Sequence, residues 1–206
     1  MYYILMADII KSSIRQGDTL MEDFKALVVD TNKAYKKHIL SPLTITLGDE
    51  FQGVAKGARE AIELILALEE KIIKNQLDFK LRYVLNYGEI DTPLNKKNAH
   101  EMLGKGLTSA RKQLNAMKKS KERFWVNLKN KEHNNLLSKA LLIYQSFVDD
   151  WTAKQQKIAA VFLTESDYKT VAKTLDKDIS STWRREKSLK IKEYFALKEL
   201  ILDLIK

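Results

Sequence analysis

The sequence predicts an α+β fold, with a ferredoxin-like antiparallel sheet and its helices in residues 1–130, then an all-α domain with a helix-turn-helix in residues 131–206. Two observations predict it. Two-residue hydrophobic alternation is confined to the first part of the chain, where it is interleaved with helical periods in the order β-α-β-β-α-β. Strand signals then stop after Lys129, and helical periods run to the end.

A strand is expected near residues 2–10, an amphipathic helix near 19–37, and strands near 43–47 and 50–55. The next helix, near 57–75, is marked by Ala58, Ala61, Ile62, Ile65, Leu68 and Ile72 at helical spacing. Residues 79–87 alternate like a half-buried strand and stop at Gly88. A loop through Pro93 leads to a helix near 102–119, and a strand near 123–128 extends the sheet. Helices follow near 132–149, 152–163, 167–175, 179–188 and 190–205.

Composition narrows the function classes. A chain of 206 residues buries a core unaided, and the absence of cysteine excludes disulfides, zinc-thiolate sites and cysteine nucleophiles. No apolar run reaches the length of a membrane span. The N-terminus lacks a basic n-region and a small-residue cleavage site, so a cytoplasmic protein with no membrane partner is expected. The net charge of +9 points to a polyanionic partner. His38, His100 and His133 have no metal-ligand spacing and are expected at the surface.

The chemistry centres on residues 44–53, TITLGDEFQG, where a glycine turn between two short apolar runs carries Asp49 and Glu50. A further acid, Asp8, interrupts the opening apolar run. If the first strand pairs antiparallel with this hairpin, Asp8 and Asp49 meet at one sheet edge, as oxygen ligands for Mg²⁺ or Mn²⁺ with a phosphorylated substrate. Glu50, one position on, is expected to point to the other face. Lys11, Ser12 and Ser13 follow Asp8 and suit a triphosphate. Gly104 and Gly106 open a helix in which Arg111 reaches a phosphate, glycine allowing close backbone approach to a ligand.

These residues resemble the bacterial SatD family through Asp8-Ile9, the hairpin LGDEFQG, Tyr87 to Ile90, and the Gly104 to Arg111 helix start. Residues 1–128 also resemble the class III nucleotidyl cyclase and GGDEF-type palm. That resemblance implies Asp8 and Asp49 as metal ligands, a nucleoside triphosphate or related nucleotide as partner, and Arg111 as the catalytic arginine that stabilises charge during phosphoryl transfer. The chain departs from the cyclase pattern at Leu107, where an asparagine is usual, at Ile45 in place of the purine-reading lysine, and at Leu47 in place of the second GGDEF glycine. Metal and nucleotide binding tolerate these changes better than cyclisation does.

In the tail, Tyr168 to Leu175 and Ile179 to Lys187 have a helix-turn-helix layout, with Asp176 or Lys177 in the strained turn position that glycine often fills. Val171, Ala172, Leu175, Ile179 and Trp183 are expected inside. Ser180, Ser181, Thr182, Arg184, Arg185 and Lys187 are expected at or beside a face that meets double-stranded DNA. The wide apolar face of the last helix is expected either in the core or against a second subunit of a homodimer. The leading expectation is a regulatory protein joining a metal and nucleotide-binding palm to a DNA-binding tail. The alternative is an active nucleotidyl cyclase or nucleotidyltransferase whose tail is an interaction module.

Overall fold

The computed structural model describes residues 1–10 and 17–205. Strands β1 (Tyr2–Ile9), β2 (Ile39–Ile45), β3 (Glu50–Ala55), β4 (Leu81–Gly88) and β5 (Phe124–Asn127) form one sheet in the order β2-β3-β1-β4-β5. The first four pair antiparallel, and β5 joins β4 in parallel. With α1 (Gly17–Ala34) after β1 and α2 (Ala58–Lys74) after β3, this is the ferredoxin-like order read from the sequence. β2 starts at Ile39, earlier than its hydrophobic pattern suggests, and its register shifts on both sides of Ser41. It is an edge strand, where Pro42 leaves no interior ladder bond unmade.

Period-two alternation divides the sheet between two cores. Leu5, Ala7 and Ile9 face α1 and α2, while Ile4 and Met6 face α3 (Lys105–Met117) through Leu107, Ala110 and Leu114. α1 contributes the stripe Leu20, Phe24, Leu27 and Val28. α2 is buried nearly all the way round from Ala61 to Ile73, as befits a helix covered on both sides. One side lies on the sheet and the other carries the tail.

The tail consists of α4 (Lys131–Asp150), α5 (Ala153–Phe162), α6 (Tyr168–Thr174), α7 (Ile179–Ser188) and α8 (Ile191–Asp203). Side-chain caps set four of its helix starts, the first at α4, where Asn130 accepts from the backbone N–H of Glu132. Thr152 and Gln155 form a capping box, and Asp167 and Asp178 accept from the backbone N–H of Thr170 and Ser181. The α6–α7 turn is closed by Asp176, whose φ of 49° is left-handed, one of the two positions expected to take that strain.

The first core runs without a break into the tail. Tyr83 stacks on Phe124 with centroids 5.4 Å apart, and the series continues through Tyr144 and Tyr194 to Trp151. Beside it, Arg123 joins three elements: it bonds Glu69 of α2, Asp149 of α4 and the Leu81 carbonyl of β4. α8 buries Ile191, Tyr194, Leu197 and Ile201 in this same core, so its apolar stripe is taken up by its own chain. Among the described residues, no helix is long and apolar enough to cross a membrane.

Candidate functional site

On the α3 face of the sheet, successive rows change from apolar to charged. Ile4 lies between Val54 and Asn86, Met6 between Gln52 and Val84, and Asp8 between Glu50 and Arg82. Asp8 and Glu50 are therefore cross-strand partners on one face. This corrects the expectation for Glu50, which follows from its distance to Asp49 and not from its register with β1. Asp49 sits in the turn beside Gly48, at φ +69°, and its carbonyl accepts from Ile9 N–H at 2.9 Å. The antiparallel pairing expected of the hairpin thus brings Asp8, Asp49 and Glu50 to one end of the sheet.

Cations meet them there. Arg82 Nη1 lies 2.9 Å from both Asp8 carboxylate oxygens, and both side chains are buried. Arg111, from the second turn of α3, pairs with Glu50, which also accepts from the Thr46 hydroxyl at 3.3 Å. Lys118, just past the end of α3, places Nζ 3.8 Å from Asp8 Oδ2. Burial pushes the Asp8 carboxyl above the ordinary carboxylate range, while Arg82 and Lys118 pull it back and the Asp49 charge adds to the rise. Burial raises Glu50 as well, against the pull of Arg111 and Thr46. Sequence reasoning misses Arg82 and Lys118. An arginine at a core-facing position of a strand otherwise lined by Val84 and Asn86 is the available signal, since a charge there needs a partner.

Gly104 and Gly106 lie elsewhere. α3 starts against the Gly88 end of β4 and runs back along the sheet, so these glycines are separated from Asp8 by about 20 Å of strand. A Cβ on Gly106 would fall 2.6 Å from the Gly88 carbonyl carbon, and one on Gly104 would fall 2.5 Å from the Glu89 oxygen. The close approach they permit is between the start of α3 and the backbone of residues 88–91, at the end of β4 and just beyond it. Leu107 is buried against the sheet. Lys11, Ser12 and Ser13 lie outside the described residues.

A preformed divalent-cation site asks for open oxygen ligands. Both Asp8 oxygens accept from Arg82 and Glu50 is held by Arg111, and among the described residues no three acidic or histidine side chains are grouped to hold an ion. The donor set does not fit such a site.

The SatD family profile matches residues 2–205. The chain belongs to the SatD family. No curated protein matches it. Among solved structures, a bacterial light-regulated adenylyl cyclase aligns at 14% identity and a TM-score of 0.43, over 60% of the SatD chain and 73% of its own.

In this SatD chain, α7 turns Thr182 and Glu186 inward, with Leu189 just beyond them, and leaves Ile179 and Trp183 half-exposed. Thr182, expected on or beside the outer face, is instead buried, its hydroxyl donating to the Asp178 carbonyl at 2.9 Å. Ile179 and Trp183, expected inside, are outside. Ser180, Ser181, Arg184, Arg185 and Lys187 are exposed, and Lys187 Nζ lies 3.8 Å from the centre of the Trp183 ring. Ser181, Arg184, Arg185 and Ser188 line a shallow hollow on that surface. His38, expected free at the surface, pairs with Glu63 at 2.8 Å.

Proposed function

We propose that this SatD protein is a regulator whose palm binds a phosphate-bearing ligand of the nucleotide class and whose tail binds duplex DNA as a helix-turn-helix. The reading rests above all on the outward side of α7. Ser180, Ser181, Arg184 and Arg185 are exposed there, opposite a buried side that fixes the helix on α6. Hydroxyls and guanidinium groups on one exposed helical face suit base edges and phosphates in a major groove, and the net charge of +9 favours the same partner. For the palm, the support is the aspartate-bearing strand against a Gly-Asp-Glu-Phe hairpin, with the partly exposed cations Arg111 and Lys118 at the rim of the charged row.

Fluorescence anisotropy of labelled duplex DNA tests it. Binding should weaken as salt rises, and Arg184→Ala with Arg185→Ala should reduce the slope of log K against log salt by about 2, roughly 0.9 for each phosphate no longer neutralised. Equal affinity and slope in the double variant would remove α7 as the DNA-reading helix. Titration of ATP and GTP by calorimetry tests the palm, and Arg111→Ala should weaken any binding seen.

A further inference from the structure

We infer that Arg82 stands as a built-in counter-cation where a palm of this type would hold a divalent ion, so that the site takes its phosphate-bearing ligand as the free anion, without Mg²⁺ or Mn²⁺. The nature of the ligand rests on the nucleotide reading above; the exclusion of the metal does not.

Register is the first argument. β1 and β4 place Arg82 directly across from Asp8, and the guanidinium reaches both carboxylate oxygens at 2.9 Å. The second is burial. Asp8 is 3% exposed and Arg82 6%, so neither partner can turn away to water at small cost. A metal ion at Asp8 would have to displace a buried guanidinium and leave it unpaired, or bind beside it against direct charge repulsion. The third argument is the orphan donor. Arg82 Nε is buried with no hydrogen-bond partner among the described residues, and an unmet N–H invites an acceptor oxygen. Lys118, half-exposed beside Asp8, adds cationic charge at the rim. A phosphate group satisfies such donors directly, whereas a divalent cation opposes them.

The test is titration of the full chain with Mn²⁺ alone, followed by electron paramagnetic resonance of the free ion. Wild type should leave the free-ion signal unchanged at sub-millimolar metal. Arg82→Met, which frees the Asp8 oxygens beside Asp49 and Glu50, should gain Mn²⁺ affinity on the order of tenfold or more by removing the like charge. Asp8→Asn added to Arg82→Met should abolish the gain. Circular dichroism melting establishes that each variant is folded, and Arg82→Gln replaces Arg82→Met if that variant is not. Mn²⁺ uptake by wild type that is lost in Asp8→Asn would overturn the inference, as would a folded Arg82 variant with no gain. The nucleotide arm is separate. Calorimetry with ATP and GTP should give the same affinity with Mg²⁺ as with EDTA, and a requirement for Mg²⁺ would also overturn the inference. Absence of nucleotide binding in both media would sink the nucleotide reading and leave the Mn²⁺ titration to judge the role of Arg82.

Discussion

Arg123 grips Glu69 through both carboxylate oxygens, Nη1 to Oε1 at 3.0 Å and Nη2 to Oε2 at 2.7 Å, with both side chains buried. Tyr83 donates to the same carboxylate at 2.9 Å, and Asp149 accepts from Arg123 Nε at 3.0 Å. Glu69→Gln or Arg123→Met should each destabilise the protein by about 3–5 kcal/mol, since either takes from a buried charge its two-point partner. A thermal midpoint lowered by on the order of 10 °C is the expected reading. The double replacement Glu69→Met with Arg123→Met should recover part of the loss but not all, because Tyr83 and Asp149 lose their partners too.

The raised Asp8 and Glu50 carboxyls give stability a pH dependence of definite sign. A carboxyl that protonates more readily folded than unfolded binds excess protons in the folded state between its two titration points. Its contribution is fully present below the ordinary carboxylate value, about 4, and is lost as pH rises through the raised folded value. Glu50→Gln should therefore show a smaller fall in thermal midpoint than wild type across that window. An unchanged or steeper fall in the variant would contradict a raised Glu50.

Gly106→Ala should be costly because its neighbours are backbone. Its Cβ would lie 2.7 Å from both N and O of Glu89, so α3 would have to lift off β4. A loss of about 1–3 kcal/mol in urea denaturation is expected. Gly57→Ala is the control. Its Cβ would meet the end of the Glu60 side chain at 2.5 Å, and that carboxylate can swing away.

Thr182 and Ser181 should separate packing from recognition. Thr182→Val removes the bond to the Asp178 carbonyl inside the tail and should lower stability by about 1 kcal/mol, with DNA affinity unchanged per folded molecule. Ser181→Ala at the exposed face should do the reverse.

Incubation of ATP or GTP with Mn²⁺ and pure protein should leave the nucleotide intact, because Asp8 is held by Arg82. A cyclic or oligomeric product made by wild type and missing in Asp49→Asn would restore the reading of a metal-dependent enzyme.

The fold is largely legible in the sequence because alternation in strands such as β4 and helical stripes such as Leu20, Phe24 and Leu27 are local signals. The charged row is only half legible. Asp8 and the hairpin acids stand out along the chain, but the pairing of Asp8 with Arg82 depends on a register between residues 74 positions apart. Glycine announces a need for closeness without saying to what, and the sequence does not show that Gly104 and Gly106 lie against the backbone of residues 88–91. On α7, hydrophobicity alone places Trp183 inside. A hydroxyl that bonds the preceding turn, as Thr182 does, buries as readily as an apolar group, and no apolarity scale records that.

α2 is walled in on both sides, so the sheet and the tail share one apolar core across it. A cut after β5 would strip Tyr144, Tyr194 and Ile201 from the surface they cover and take the Tyr194 hydroxyl away from Glu70. The tail closes the side of α2 that faces away from the sheet, so one apolar seam binds the two stretches of chain to each other.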